Sequence, residues 1–337
     1  MRILIIGGGS IGQRHIANLL ELKAGDLELC DSNPARVEEL HKRFGIRGTA
    51  RLEEALDRRP EAVLICTPTS LHVPIALKAV QTGAALLIEK PVSDSLEETE
   101  KLAALARQHR ATILVGCNMR FHPGVASLKT AAAGLLKKPL LIRAWFSHYL
   151  PNWRPTVDYR QTYSARHAQG GGIIFECVHE LDYLRWMFGE VAHLDCFADR
   201  ISDLEIDSED IALIRLNFEN GTVGQLHLDY LSPLKMRGCE VIGVDGIVRW
   251  SSEGKSPEKV LVQHFDNRKR IWHDLVRLES YDANQMYLQE LQHFLDCIGG
   301  TATPMVDLET GLRTVQLALA AKEKAAHQAR PLTKELA

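Results

Sequence analysis

The sequence predicts an α/β protein. Its first part should form a parallel, doubly wound sheet, and its second part an α/β domain with a large, mainly antiparallel or mixed sheet. Three observations favour this fold class. Short apolar runs alternate with helical repeats over residues 1–121, a glycine-rich turn follows the first run, and hairpin-forming strands dominate the chain after Asp210. We expect two domains, residues 1–121 and residues 122–337.

Composition narrows the classes of function. The chain has 337 residues, 45% of them hydrophobic, and a formal net charge of −3, which suits about two domains with separate cores. It contains no long block of basic residues and no apolar run near the ~20 residues of a membrane span. The apolar run Ile3–Ile6 is too short for a signal peptide, and the seven scattered cysteines include no C-x-x-C pair. We expect a cytoplasmic protein with reduced thiols, no metal site, and no nucleic-acid or membrane partner.

A glycine motif lies between the first predicted strand and the first predicted helix. Arg2–Ile6 is an apolar run typical of a strand buried on both faces, and apolar residues from Ile11 to Leu20 then repeat at helical spacing. Glycines in such a turn let the backbone approach a pyrophosphate, and the helix N-terminus supplies N–H donors. The predicted dinucleotide-binding residues of this turn are Gly7, Gly9, Ser10, Ile11 and Gly12.

An acidic residue after the second strand indicates which dinucleotide binds. The predicted strand Leu27–Cys30 is followed by Asp31, 19 residues beyond Gly12. A carboxylate at this place accepts hydrogen bonds from the ribose 2′-hydroxyl and repels a 2′-phosphate, which favours NAD over NADP. Arg36 weakens this preference, because a guanidinium group can bind a 2′-phosphate.

The rest of the first domain repeats the alternation of strands and helices. Helices are predicted at Pro34–Phe44, Leu52–Arg58, Val73–Gln81 and Leu96–Gln108, and strands at Ala62–Cys66, Ala85–Ile88 and Thr112–Gly116. Ligands of doubly wound sheets bind at the carboxyl ends of the strands. The predicted cofactor-binding residues at these ends are Thr67, Pro68, His72, Glu89 and Lys90. His72 either orients the nicotinamide ribose or caps the helix that follows.

The tripeptide Glu89-Lys90-Pro91 allows two interpretations. In isolation it could open a surface helix. At the end of a buried parallel strand, however, Lys90 points into the crevice where a cofactor and a substrate meet. The second interpretation makes Lys90 a catalytic candidate.

Four segments together resemble the Gfo/Idh/MocA family, the glucose–fructose oxidoreductase and inositol dehydrogenase type of NAD(P)-dependent sugar oxidoreductases. They are Gly7–Gly12, Thr67–His72, Glu89–Pro91 and Arg120–Pro123, which occur in this order along the chain. The resemblance implies a Rossmann domain followed by an α/β domain whose open sheet often serves for oligomerisation. We accordingly expect a homodimer or homotetramer.

A second catalytic segment follows Gly170-Gly171-Gly172. A helix is predicted over Ile174–Phe188, which places Glu176, His179 and Tyr183 on one face. His179 is either a buried structural histidine or an acid–base catalyst paired with Glu176. The resemblance supports catalysis, although most family members carry aspartate where this chain has Glu176. The predicted catalytic residues are Lys90, His179 and Glu176.

Residues 145–169 interleave aromatic rings with arginines. The rings could stack on a sugar, and the guanidinium groups could bind phosphate or carboxylate. Alternatively, the rings pack on the domain beneath, and the arginines pair with Asp158, Glu176 or Glu180 and hold the loop. The predicted substrate-binding residues are Arg120, Trp153, Arg154, Tyr159, Arg160, Tyr163 and Arg166. So many arginines favour an anionic or nucleotide-linked sugar.

The remaining chain predicts the second sheet and two late helices. Strands are expected at Ile211–Phe218, Val223–Asp229, Glu240–Val244 and Ile247–Trp250, with a hairpin turn at Asn220-Gly221. The helix Asn284–Cys297 either returns Asn284 or Tyr287 toward the cleft or packs as ordinary core through Met286, Leu291 and Phe294. A last helix is expected over Leu308–Gln328.

We conclude that the sequence predicts an NAD-dependent dehydrogenase for a secondary alcohol, or the matching ketone, of a sugar-type substrate. His179 is expected to take the hydroxyl proton, and Lys90 to stabilise the charge that develops on the oxygen. Three alternatives are an NAD-assisted glycosidase, a non-enzymatic NAD-dependent regulator, and a structural module. The regulator has no need of Lys90 together with His179, and the structural module has no need of the cofactor crevice.

Overall fold

The computed structural model describes residues 1–328, except for the side chains of residues 327 and 328. The described chain forms two compact units. One contains Met1–Asn118 and Asn284–Val315, and the other contains Met119–Ala283 and the chain from Gln316 onward. The predicted boundary after residue 121 remains a prediction, and the units differ from it by placing Asn284–Val315 with the first unit. Residues 329–337 of the predicted second domain lie outside the described residues.

The strands and helices follow one another in a regular alternation in the first third of the chain. The strands are β1 Arg2–Ile6, β2 Asp26–Cys30, β3 Arg47–Thr49, β4 Ala62–Ile65, β5 Ala85–Glu89, β6 Ile113–Gly116, β7 Pro139–Ser147, β8 Val191–Asp199, β9 Ile211–Phe218, β10 Val223–Asp229, β11 Met236–Gly243, β12 Gly246–Glu253, β13 Glu258–Asp266 and β14 Ile271–Tyr281. The helices are α1 Ser10–Glu21, α2 Pro34–Phe44, α3 Leu52–Asp57, α4 His72–Ala79, α5 Thr99–His109, α6 Pro123–Leu135, α7 Ile173–Glu176, α8 Val178–Phe188, α9 Asn284–Ile298 and α10 Leu308–Gln328. Short 3₁₀ turns connect several of them.

The first unit is built on a six-stranded parallel sheet in the order β3-β2-β1-β4-β5-β6. From β1 to β3 the strands are added on one side of β1, and from β4 to β6 they are added on its other side. The switch point between β1 and β4 creates a ligand crevice at the carboxyl ends of the strands. The predicted parallel sheet is therefore confirmed. The sequence did not reveal β3, because Arg47–Thr49 is short and contains no apolar run.

Helix α9 completes the core of the first unit although it lies far along the chain. Its Leu291 and Phe294 are fully buried in the same cluster as Leu64 and Leu87 from the sheet and Ile16 from α1. Burial of each large apolar side chain contributes about 1.5–3 kcal/mol to stability, which explains why this distant segment docks here.

The second unit is built on an eight-stranded mixed sheet in the order β14-β13-β12-β11-β7-β10-β9-β8. Only β7 and β10 pair in parallel, so the sheet is mainly antiparallel as predicted. The predicted turn at Asn220-Gly221 joins β9 to β10, with Gly221 at a φ of +85°. Helices α6, α7 and α8 contact one face of the sheet.

One prediction about this unit was wrong. The expected helix Ile174–Phe188 is divided into α7 and α8, because Cys177 leaves the helical conformation with φ −101° and ψ 29°. Glu176 is consequently the last residue of α7, and His179 lies in the first turn of α8. The strand predicted at Glu240–Val244 also begins earlier, at Met236.

Among residues 1–328, no helix has both the length and the apolar composition that a membrane crossing requires.

Candidate functional site

The glycine turn between β1 and α1 has the geometry of a dinucleotide site. Gly7 has a φ of +100°, which favours glycine, and a Cβ at Gly12 would lie 1.9 Å from the carbonyl oxygen of Gly7. By contrast, no described atom outside its own neighbours lies within 4 Å of a Cβ built at Gly9. The turn is thus closely packed at Gly12 and open at Gly9, and no side chain of the described residues caps α1. Its N–H groups can bind a pyrophosphate.

Asp31 extends this site at the carboxyl end of β2. One carboxylate oxygen accepts a hydrogen bond from Gly8 N–H at 2.7 Å, and the other accepts one from Asn33 N–H at 2.9 Å. These contacts fix the carboxylate beside the glycine turn while leaving it half-buried. Arg36 lies on the same side, with its Nη1 donating to the Gly8 carbonyl oxygen at 3.1 Å. The arrangement fits a ribose whose hydroxyls donate to Asp31.

Thr67, Pro68 and His72 follow β4, and the predicted cofactor contacts of these residues remain predictions. The His72 ring is buried, with Nε2 2.8 Å from the Thr67 carbonyl oxygen and Nδ1 2.8 Å from the Pro91 carbonyl oxygen. Burial lowers the pKa of His72. His72 therefore ties the loop after β4 to the loop after β5, which supports the crevice from inside.

Lys90 stands directly after β5, at the edge of the sheet where the crevice forms. It is half-buried, and the peptide bond that links it to Pro91 is cis. The preceding Glu89 is buried, and its Oε1 lies 2.6 Å from Nε2 of His15 on α1. Glu89 thus faces the interior of the first unit.

The second group of candidates lies in the second unit, where α7 meets α8. Glu176 and His179 are both buried, with 8% of each residue exposed. Ser164 Oγ donates a hydrogen bond of 2.8 Å to Glu176 Oε1. Tyr183, which the sequence placed on the same helical face, is fully buried with its ring edge against Trp250. The proton-transfer role predicted for Glu176 and His179 remains a prediction.

The turn that begins α7 is held by two residues that sequence reasoning missed. Glu209 accepts a hydrogen bond from Ile174 N–H at 3.2 Å through its side chain. Lys322 Nζ lies 3.3 Å from Glu209 and 3.2 Å from the carbonyl oxygen of Gly171. These contacts fix the direction of α7, and no local sequence signal could have found residues so far apart.

Arg160 and Trp153 of the aromatic and arginine-rich loop, residues 145–169, contact other residues of the second unit. Arg160 forms ion pairs with Asp158 at 2.8 Å and with Glu205 at 3.1 Å, so its guanidinium group holds the loop. Trp153 stacks against His148 with 6.0 Å between the ring centroids, which matches the interpretation that the rings pack on the domain beneath.

The four remaining loop residues of the predicted substrate-binding set differ in their surroundings. The Tyr159 hydroxyl oxygen accepts a hydrogen bond from Glu205 N–H at 3.2 Å, and the Arg154 guanidinium lies 5.7 Å from the centre of the Tyr163 ring. Arg166 is exposed and has no ion pair with any residue in the described part of the chain. It is the predicted substrate arginine that best matches an open anion contact.

Arg120 lies in the interior rather than at an open surface. Its guanidinium group makes two hydrogen bonds to the fully buried Asp182, at 2.9 and 2.7 Å, and lies 5.2 Å from the Trp186 ring. A bidentate pair of this kind is costly to open. Arg120 therefore stabilises the second unit, and its predicted contact with substrate has no support in this geometry.

The fold and the glycine turn define an NAD-binding oxidoreductase. Residues 1–117 match the family model described as an oxidoreductase family with an NAD-binding Rossmann fold, and residues 142–333 match the C-terminal α/β domain of the same family. The chain belongs to the Gfo/Idh/MocA oxidoreductase family, and its cofactor is NAD.

Two curated relatives resemble the chain along nearly its whole length. A scyllo-inositol 2-dehydrogenase (NAD⁺) of Bacillus subtilis is 26% identical over 91% of this chain and 88% of that protein. A myo-inositol 2-dehydrogenase of Thermotoga maritima is 26% identical over 96% of each chain. Among solved structures, a levoglucosan dehydrogenase in complex with NADH superposes with a TM-score of 0.86 over 97% of both chains, at 18% identity, which shows a shared fold.

Proposed function

We propose that the protein transfers a hydride between NAD and a secondary alcohol, or the corresponding ketone, of a sugar-type substrate. The observation that carries this proposal is the combination of the glycine turn and Asp31 in one unit with a buried carboxylate–histidine pair in the other. Relatives named as inositol dehydrogenases, which match nearly the whole chain, support an alcohol of a polyhydroxylated ring as the substrate.

Each catalytic candidate has a distinct part in the proposed reaction. When bound, NAD accepts the hydride from the carbinol carbon. His179 removes the hydroxyl proton as general base, and the Lys90 ammonium donates a hydrogen bond to the oxygen as negative charge develops there. Glu176, held by Ser164 at 2.8 Å, orients the imidazole or accepts a hydrogen bond from a neighbouring hydroxyl.

The substrate class follows from which polar groups remain accessible. Because Arg160 is paired with Asp158 and Glu205, the loop offers fewer cationic contacts than its composition suggests. A neutral polyol or sugar is therefore the first candidate. An anionic or nucleotide-linked sugar is the second candidate, and the exposed Arg166 is the observation that favours it.

We also propose that the eight-stranded sheet forms the interface of a homodimer or homotetramer. Phe197, Leu213, His227 and Trp145 pair across adjacent strands and so lie in one row on one face of the sheet. Phe197 is 45% exposed and Leu213 38% exposed, on the face opposite the buried Leu228. Replacement of Phe197 by glutamate should lower the mass measured by light scattering, and an unchanged mass would contradict this interface.

The seven cysteines are all free and buried, which favours a reducing compartment such as the cytoplasm.

Kinetics of two variants test the proposed chemistry. Lys90→Met should reduce kcat by about 10²–10³, as loss of an oxyanion donor does, while the Kd for NADH stays near the wild-type value. His179→Ala should reduce kcat by about 10²–10⁴, the usual contribution of a general acid–base residue. Wild-type turnover in either variant would refute the assigned roles.

A further inference from the structure

A buried polar cluster in the first unit includes Glu89, the residue that precedes Lys90. It consists of His15 on α1, Glu89 at the end of β5 and Glu290 on α9, with one nitrogen or oxygen atom of each residue within 4.8 Å of the others. The exposed fractions are 0% for His15, 8% for Glu89 and 1% for Glu290. Three distant parts of the chain thus place two carboxyl groups and an imidazole together in the interior.

The charge of this cluster requires explanation, because two ionised carboxylates cannot share a buried site cheaply. His15 Nε2 lies 2.6 Å from Glu89 Oε1, within hydrogen-bonding distance. Neither carboxyl oxygen of Glu290 has a hydrogen-bond partner among the residues that the structure describes. Burial, and then the charge of Glu89, raise the pKa of Glu290 well above its usual range. Burial in this cluster therefore favours the neutral form of the Glu290 carboxyl group.

The other titratable groups near the cluster do not oppose the neutral form of Glu290. Burial raises the pKa of the Cys66 thiol well above its usual range, so Cys66 stays uncharged. Burial also raises the pKa of Tyr287, whose ring lies edge-on to His15 with 6.2 Å between the centroids. The Arg14 guanidinium lies over the Tyr287 ring, 4.4 Å from its centroid.

The cluster is connected to Lys90 through the backbone. Glu89 immediately precedes Lys90, and the residue after Lys90 is held by the contact of 2.8 Å between the Pro91 carbonyl oxygen and His72. Lys90 is therefore flanked on both sides by buried anchors. We propose that His15 and Glu290 are positioning residues for Lys90, which act through Glu89. This inference rests on the catalytic role of Lys90 under the proposed function.

If an uncharged carboxyl group at Glu290 positions Lys90, the glutamine and alanine variants of Glu290 should differ in kcat. A general packing role does not predict such a difference. Glu290→Gln keeps an uncharged hydrogen-bonding group of the same size, and we expect it to retain most of the wild-type kcat. Glu290→Ala removes that group, and we expect kcat to fall by about tenfold to a hundredfold, the effect of a misplaced catalytic group, with an unchanged Kd for NADH. If the alanine variant does not fold, Glu290→Met replaces it, because methionine fills the space without a carboxyl group.

A double-mutant cycle separates positioning from general damage. In a Lys90→Met background, Glu290→Ala should produce no further loss of kcat, because the lysine it positions is already absent. Leu291→Ala is the matched control: it removes a fully buried side chain from the next position of α9, and it should lower the Tm while leaving kcat nearly unchanged.

The other possible results contradict either the positioning role of Glu290 or the proposed function. Full activity of Glu290→Ala, or an additive loss in the double variant, would overturn the inference. If the glutamine variant lost as much activity as the alanine variant and the purified protein held one chelatable divalent cation per chain, the cluster would be a metal site, and the inference would again be wrong. A wild-type rate for Lys90→Met alone would instead refute the proposed function.

Discussion

Replacement of Asp31 by alanine should change which dinucleotide the protein prefers. In the structure this carboxylate is fixed by Gly8 N–H at 2.7 Å and Asn33 N–H at 2.9 Å, which leaves lone pairs on both oxygens for ribose hydroxyls. Hydrogen bonds to a charged group contribute about 1.5–3 kcal/mol each. Because Asp31 is half-buried, water replaces part of this loss. We expect a net loss of about 1.5–3 kcal/mol for NADH, equivalent to about 10–150-fold in Kd.

The same change should not weaken NADPH binding. A 2′-phosphate is repelled by the wild-type carboxylate, and Arg36, 3.1 Å from the Gly8 carbonyl oxygen, is close enough to pair with that phosphate once Asp31 is gone. The Kd values for NADH and NADPH can be measured by titration calorimetry. Asp26→Ala is the control, because it removes a carboxylate at the opposite end of β2. An unchanged ratio of the two Kd values, or tighter binding of NADPH by the wild type, would refute this reasoning.

Three further predictions concern the second unit and the buried cluster. Ser164→Ala should lower the free energy of unfolding by about 1–3 kcal/mol, because it removes the hydrogen bond that Ser164 donates to the buried Glu176, and an unchanged free energy in denaturant titration would contradict this prediction. Arg166→Ala should raise KM for an anionic substrate in a salt-dependent way, more than Arg160→Ala does, and equal KM values in wild type and Arg166→Ala would exclude an anion contact there. The raised pKa of Glu290 stabilises the folded protein below the ordinary value of 4.5, and this contribution is lost as pH rises towards the folded-state pKa. Wild-type stability should therefore fall relative to Glu290→Gln as pH rises above 4.5, by up to about 1.4 kcal/mol per pH unit, and parallel stability curves would contradict it.

Local sequence patterns were sufficient to predict much of the fold of the first unit. The glycine spacing from Gly7 to Gly12 and the apolar run of β1 are short-range signals, because each depends on residues that are neighbours in the chain. Asp31 was also predictable, since a parallel strand carries its next residue to the same edge of the sheet as the glycine turn.

Long-range contacts could not be read in the same way. Glu290 shows only a helical pattern in the sequence, and its burial against Glu89 arises when α9 docks on the first unit. Likewise, the pattern of residues 174–188 is continuous and does not reveal the break at Cys177, nor the distant Glu209 and Lys322 at the start of α7.

Arginine chemistry was ambiguous for another reason. A guanidinium group recognises any carboxylate, so residue type alone could not decide whether Arg160 binds Asp158 or a substrate. The structure pairs it with Asp158 and Glu205. Arg120, also predicted at the substrate, makes two hydrogen bonds to Asp182.

The most direct test of the account is the appearance of NADH when purified protein is mixed with NAD and a panel of polyols, free sugars, sugar acids and nucleotide sugars. We predict that at least one of these compounds yields NADH and the corresponding ketone in equal amounts, and that Lys90→Met and His179→Ala both abolish most of the signal. A substrate that is converted without net NADH, as in a glycosidase that oxidises and re-reduces its sugar, would contradict the proposed dehydrogenase reaction.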